Sequence, residues 1–303
     1  METEKFLNYL RTEKRCSPHT IDSYALDLDQ FSSFCRSSFE ISNSSEVTHQ
    51  VVRSWMASLM DENYHPASVH RKLSAVNAYM RFQMKEGVIT VNPARNIPKP
   101  KKPSRLPLFV EEAGAEALYH IEESEQFIRP EGADVFVLKR DELIVTLLYE
   151  TGIRQAELLG LKDSDVDRSI GQIKVLGKRN KTRFVPLSKQ MMGKMEAYIK
   201  CRNERFPRQA FESLLVTDKG SKVTKSLVYL KVKFYLSQVT TIQRKSPHVL
   251  RHTFATHMLN NGAELNVIKE ILGHSSLAAT QVYTHNSIEK LKSIHSRMHP
   301  RNN

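Results

Sequence analysis

His248 and Arg251 stand three residues apart in a segment that opens with Ser246 and Pro247, an N-cap and first-turn pair, so both fall on one face of a helix. That face offers a group able to accept or give a proton beside a planar guanidinium suited to phosphate oxygens. His252 follows His248 by four, a zinc-ligand spacing, but the glutamate of the metalloprotease motif is missing. Taken alone, these side chains could equally cap a helix or satisfy a core. Further on, Gly273 closes a helix expected over 266–272, His274 sits in the gap, and Ser275 or Ser276 can cap the next helix. His274 then lies beside amides that favour an anion. Tyr283 follows nine residues later. A tyrosine is ordinarily a packing residue, and only its place behind these signals makes it a candidate nucleophile.

The elements that must hold these groups are mainly helical. Ser17 and Pro18 open a helix with Ile21, Tyr24, Leu28, Phe31 and Cys35 at helical spacing. Thr48 opens another, carrying Val51, Trp55 and Leu59, and Pro66 a third with Val69, Leu73, Val76 and Met80 on one face. That last helix has His70, Arg71, Asn77 and Arg81 on its other faces, readable as a solvated surface or as a surface lying on DNA. From 93 to 107, Pro93, Pro98, Pro100, Pro103 and Pro107 alternate with Arg95, Lys99, Lys101, Lys102 and Arg105, a basic composition that resists helix and sheet. It reads as a linker between an N-terminal helical domain, 1–92, and a second domain, 108–303. The second domain is expected to carry a helix over 137–150 and, after Gly152, a short helix with Arg154, Glu157 and Leu158. Two β-prone runs follow, 170–176 and 182–187, with Gly177, Lys178, Arg179, Asn180 and Lys181 as the basic tip of a hairpin. After Tyr283, Ile288, Leu291, Ile294 and Met298 give the tail an amphipathic helical pattern.

Composition narrows the partners. In 303 residues, 45 Lys and Arg stand against 33 Asp and Glu, a net charge of +12 that favours a polyanion, nucleic acid ahead of an anionic membrane. The apolar stretch 143–149 is far short of the ~20 residues that span a bilayer, so no membrane partner is expected. Glu2, Glu4 and Lys5 replace an apolar leader, and Cys16, Cys35 and Cys201 are an odd, scattered set, together pointing to a reducing cytoplasm. No GxxxxGK[ST] loop and no two-metal acidic cluster occurs, so neither cofactor nor metal is expected.

In order and spacing, Thr151-Gly152-Ile153-Arg154 with Glu157-Leu158, Gly177-Lys178, His248-Val249-Leu250-Arg251-His252, Leu272-Gly273-His274-Ser275 and Tyr283-Thr284-His285 resemble the tyrosine recombinase, or phage integrase, family, most closely its XerC and XerD subgroup. The resemblance covers essentially the whole chain. It implies a fold that is mainly α with a small β-sheet insert, built from an N-terminal SAM-like core-binding domain and a C-terminal α+β catalytic domain. It also implies an enzyme that cuts and rejoins DNA through a 3′-phosphotyrosine. The nucleophile would be Tyr283, Arg154 and Arg251 the phosphate clamps, His248 and His274 the pocket histidines, and Lys178 the hairpin lysine. Where the family usually has glycine after that lysine this chain has Arg179, and Lys181 is the alternative. The stretch 125–137 is longer than the family's usual connection. The implied partners are a double-stranded recombination site, three further protomers in a tetramer joined by donated tail helices, a second Xer recombinase and a DNA translocase activator. The implied role is chromosome dimer resolution, with a mobile-element integrase or a type IB-like topoisomerase as alternatives, and a DNA-binding module without catalysis as the reading from a different class.

Overall fold

The computed structural model describes residues 1–101, 108–121, 123, 125, 127–129, 132, 134–177, 181–207 and 210–273. The chain divides into two compact units, Met1–Arg105 and Leu106–Asn303.

The first unit contains α1 (Glu4–Thr12), α2 (Pro18–Phe39), α3 (His49–Asp61) and α4 (Pro66–Lys85). The caps follow the sequence: Ser17 accepts from the Thr20 N–H and Thr48 from the Val51 N–H. The apolar stripes meet in one core around Phe31, Trp55, Val69, Val76 and Met80, with Trp55 and Phe31 rings 4.9 Å apart. Between α2 and α4 the fully buried Asp27 pairs with Arg71 and, at 3.2 Å, with the buried Lys72, whose ammonium lies 5.2 Å over the Tyr64 ring. The polar face of α4 is therefore neither simply solvated nor free. Arg71 pairs with Asp27, His70 donates to the Pro100 carbonyl at 2.8 Å, and Asn77 accepts from Asn92 at 2.7 Å, while Arg81 is exposed. Ala94 and Ile97, inside the proline-rich stretch, are buried in this same core.

In the second unit α5 (Glu112–Ala117) precedes α6 (Val135–Thr151), an almost wholly buried central helix. Residues 141–151 are all buried, so α6 is surrounded on every face and its polar side chains need partners from outside the helix. It packs against α8 (Lys189–Arg205), α9 (Lys225–Val239) and α10 (Pro247–Asn260). α6 starts two residues earlier than the expected 137, because Asp134 caps it through the Val137 N–H. After α6 come α7 (Gln155–Gly160) and an antiparallel three-stranded sheet in the order β1 (Val166–Asp167), β2 (Gln172–Leu176), β3 (Thr182–Pro186). β1 was not legible among the polar residues around it. β2 begins at 172 rather than 170 because Asp167 accepts from the amides of Ser169 and Ile170, forming a tight turn. The hairpin is as expected, Leu176 opposite Thr182, with the Gly177 N–H donating to the Lys181 carbonyl. α10 has Ser246 and Pro247 where expected, although the Ser246 side chain makes no cap bond. α11 (Leu265–Leu272) ends on Gly273 in the left-handed conformation. Of the unassigned stretch 125–137, Phe127 packs on the Tyr235 ring, and the Ile128 backbone exchanges hydrogen bonds with the Gln238 side-chain amide on α9. The fold is mainly helical with a small sheet. No described helix is long and apolar enough to cross a membrane.

Trp55, the single tryptophan, reports the first unit. Asp27→Ala leaves Lys72 buried without its carboxylate, and removing one partner of such a pair costs about 3–5 kcal/mol. We expect a marked fall in the urea midpoint of Trp55 fluorescence; an unchanged midpoint would show that the Asp27 cluster contributes no stability.

Candidate active site

α6 ends in Gly152 at φ +58, and a Cβ there would stand 2.6 Å from side-chain carbons of both Leu272 and Phe254. Glycine alone lets α6 stop against α10 and α11. Two residues on, Arg154 is the N-cap of α7 rather than a residue inside it. Its own N–H donates to Glu157 Oε2 and its Nη1 to Glu157 Oε1, both at 2.8 Å. Glu157 is buried, its side chain 5% exposed, and it also receives both Nη groups of Arg183 on β3, at 3.0 and 2.8 Å. Burial opposes the charged carboxyl, but hydrogen bonds and charge from Arg183, then Arg154, hold it below the ordinary carboxylate range.

Arg251, buried on α10, donates through Nη1 to the Gly152 carbonyl at 2.6 Å and through Nη2 to the Leu272 carbonyl at 2.8 Å. Arg154 Nη2 donates to the Gly273 carbonyl at 3.2 Å, and Arg183 Nε to the Ile271 carbonyl at 2.7 Å. Three successive carbonyls at the end of α11 thus each meet a different guanidinium. A helix leaves such carbonyls unpaired, at the negative end of its dipole, where cations are favoured. One carboxylate against three guanidiniums leaves this cluster with a charge of +2. Burial first, then Arg154, push the Arg251 group from 12.5 down to about 10, so it stays charged at neutral pH. This excess of positive charge with unused N–H groups is matched by a phosphodiester.

His248 lies one turn before Arg251 on the exposed side of α10. Burial, then the charges of His252, Arg251, Lys225 and Arg154, lower its pKa below 6.5, which keeps the imidazole neutral and able to accept a proton at pH 7. The structure therefore gathers Arg154, Arg251 and His248. Lys178, His274 and Tyr283 lie outside the described residues, as does the tail that follows. Among the described residues no three His, Cys, Asp or Glu side chains gather as a metal site. Sequence reasoning missed two cations. Lys225, at the first turn of α9, adds positive charge near His248, and its carbonyl accepts from Gln155. Arg183 had a signal: strand alternation places it on the buried face with Val185.

A helical unit with a small hairpin and an excess of guanidinium charge suits the class of proteins that act on a polyanion. Residues 116–290 match the phage integrase family, and residues 3–87 match the phage integrase N-terminal SAM-like domain. The tyrosine recombinase XerC of Natranaerobius thermophilus is 36% identical, over 98% of this chain and 97% of its own. The tyrosine recombinase XerD of Halalkalibacterium halodurans is 30% identical over 98% and 97%. The fold is also that of a XerH site-specific recombinase bound to a palindromic difH substrate, with a TM-score of 0.71, 22% identity and coverage of 97% and 83%. The chain belongs to the phage integrase family, the tyrosine recombinases. It is a site-specific recombinase that breaks and rejoins DNA.

The lowered pKa of His248 is directly measurable. By NMR its ring should titrate with a midpoint below 6.5, and because Arg251 contributes to the depression, Arg251→Gln should move the midpoint upward. In stability terms the unfolded chain takes up this proton first, so the contribution of His248 is present above 6.5 and lost as pH falls. A midpoint above 6.5 would contradict the neutral-base assignment.

Proposed function

We propose that this recombinase works by nucleophilic attack of Tyr283 on a phosphodiester clamped between Arg154 and Arg251. The phenol oxygen forms the bond to phosphorus as its proton passes to His248. The bond to the 5′ oxygen breaks, and Lys178 on the hairpin protonates the leaving oxygen. His274 hydrogen-bonds the phosphate. A partner strand's 5′ hydroxyl reverses the steps, and since the 3′-phosphotyrosine ester retains the phosphodiester energy, no nucleoside triphosphate is needed. The observation that carries this reading is the +2 cluster of Arg154, Arg183 and Arg251 around Glu157, with a neutral imidazole on the same helix as Arg251. Two guanidiniums suit the extra charge of the transition state, each worth roughly 3 kcal/mol as a positioned donor.

The similarity to XerC and XerD chains over nearly full length favours chromosome dimer resolution in the cytoplasm. In this reading four protomers assemble on paired sites, each tail helix, 286–303, docking on a neighbour, together with a second recombinase and a DNA translocase as activator. Sedimentation on paired duplexes is the measure of the assembly. Recovering and sequencing DNA covalently trapped on the protein in its own cells tests the role: one chromosomal locus supports it, and the ends of a mobile element overturn it.

Two outcomes on a nicked duplex built from the trapped site bear on the residues. Tyr283→Phe should bind as wild type and form no covalent complex, and a persisting covalent band would move the nucleophile elsewhere. With sulfur in place of the bridging 5′ oxygen the leaving group needs little protonation, so Lys178→Ala should regain cleavage there while Lys181→Ala cleaves normally on both substrates. Rescue of Lys181→Ala alone would transfer the acid role to Lys181.

A further inference from the structure

We propose that Arg183 is a positioning residue of the recombination site, acting through Glu157 to keep the guanidinium of Arg154 open to the scissile phosphate. The inference rests on Arg154 being a phosphate clamp. It starts from the accounting of one carboxylate. Glu157 accepts four hydrogen bonds: Oε1 from Arg154 Nη1 at 2.8 Å and Arg183 Nη1 at 3.0 Å, Oε2 from the Arg154 N–H at 2.8 Å and Arg183 Nη2 at 2.8 Å. A carboxylate offers about four lone-pair sites, so this one is full. Arg183 takes both bonds of a bidentate pair, and the Arg154 side chain is left with one.

That division matters because a buried carboxylate and an arginine prefer the two-point fork geometry. With Arg183 removed, two acceptor sites of Glu157 fall vacant next to Arg154. The Arg154 fork can then turn onto them, and both its charge and the N–H groups due to the phosphate are engaged by Glu157. Arg183 prevents this by filling those sites first.

Its second contact adds a constraint of place. Arg183 Nε donates to the Ile271 carbonyl at 2.7 Å, and its guanidinium lies under Gly273, where an added Cβ would stand 3.2–3.3 Å from Arg183 atoms. Arg183 is thus tied at once to Glu157, to its own strand β3, and to the end of α11 whose last carbonyl Arg154 reaches. It is 6% exposed, with no room to contact DNA itself, which separates positioning from direct binding.

Single-turnover formation of the covalent complex, on the nicked duplex built from the trapped site, tests the proposal alongside DNA affinity. Misplacing a group at a reacting centre can cost about 100-fold in rate. Arg183→Met should lose that much cleavage while DNA affinity stays within about threefold, since its loss falls on the transition state. The double variant Arg183→Met with Glu157→Gln should recover about tenfold over Arg183→Met, because the competing negative charge is gone; a merely structural role predicts no such recovery. Should Arg183→Met fail to fold by circular dichroism, Arg183→Lys with and without Glu157→Gln makes the same comparison. Wild-type cleavage by Arg183→Met, equal loss of binding and cleavage, or no recovery in the double variant would overturn the proposal. Arg154→Ala is the control on the underlying reading: if it cleaves like wild type, the clamp assignment itself fails, whereas a slow Arg154→Ala beside a fast Arg183→Met fails the positioning role alone.

Discussion

The catalytic unit depends on how one short helix ends. The last carbonyls of α11 have no partners within the helix, and they sit at the negative pole of its dipole. Ile271, Leu272 and Gly273 each accept from a guanidinium that comes from a different element: Arg183 from β3, Arg251 from α10, Arg154 from the start of α7. Three elements distant in sequence are thereby held to one point. The same carbonyls that bring the arginines together satisfy only part of each fork, so positive charge remains for an external anion.

Charge balance explains how such a cluster can be held together. Three guanidiniums brought together repel, and burial already pushes Arg251 down to about 10. Glu157 offsets one charge and bridges Arg154 and Arg183, and burial does not neutralise it because the two arginines hold it ionised. A pocket that kept two further carboxylates would be neutral and indifferent to phosphate. One that lacked Glu157 would leave Arg154 without its anchor.

Behind the site stands α6, buried on all sides. It terminates at Gly152, whose carbonyl holds Arg251 and whose missing Cβ admits Leu272 and Phe254. The polar residues of α6 are fixed from outside: Glu142 by Lys194, Asp141 by Lys231, and Glu150 by Tyr119 and Ser188. The helix therefore cannot rotate or slide without breaking buried ion pairs, and the position at which it hands the chain to Arg154 is determined by the core.

Much of this was written in local sequence. The caps at Ser17 and Thr48, the stripe Val69, Leu73, Val76 and Met80, the hairpin around 177–181 and the glycine stops at Gly152 and Gly273 are short-range signals, and each element formed where they point. The pairing of His248 with Arg251 is likewise a matter of one helical turn. What sequence could not decide was long-range. Arg71 looked like a surface cation until α2 brought Asp27 against it, and Arg183 went unremarked until Glu157 and the end of α11 closed around it. Hydrogen bonds between residues 26 and 88 positions apart depend on which helices share a core, and no local periodicity carries that information.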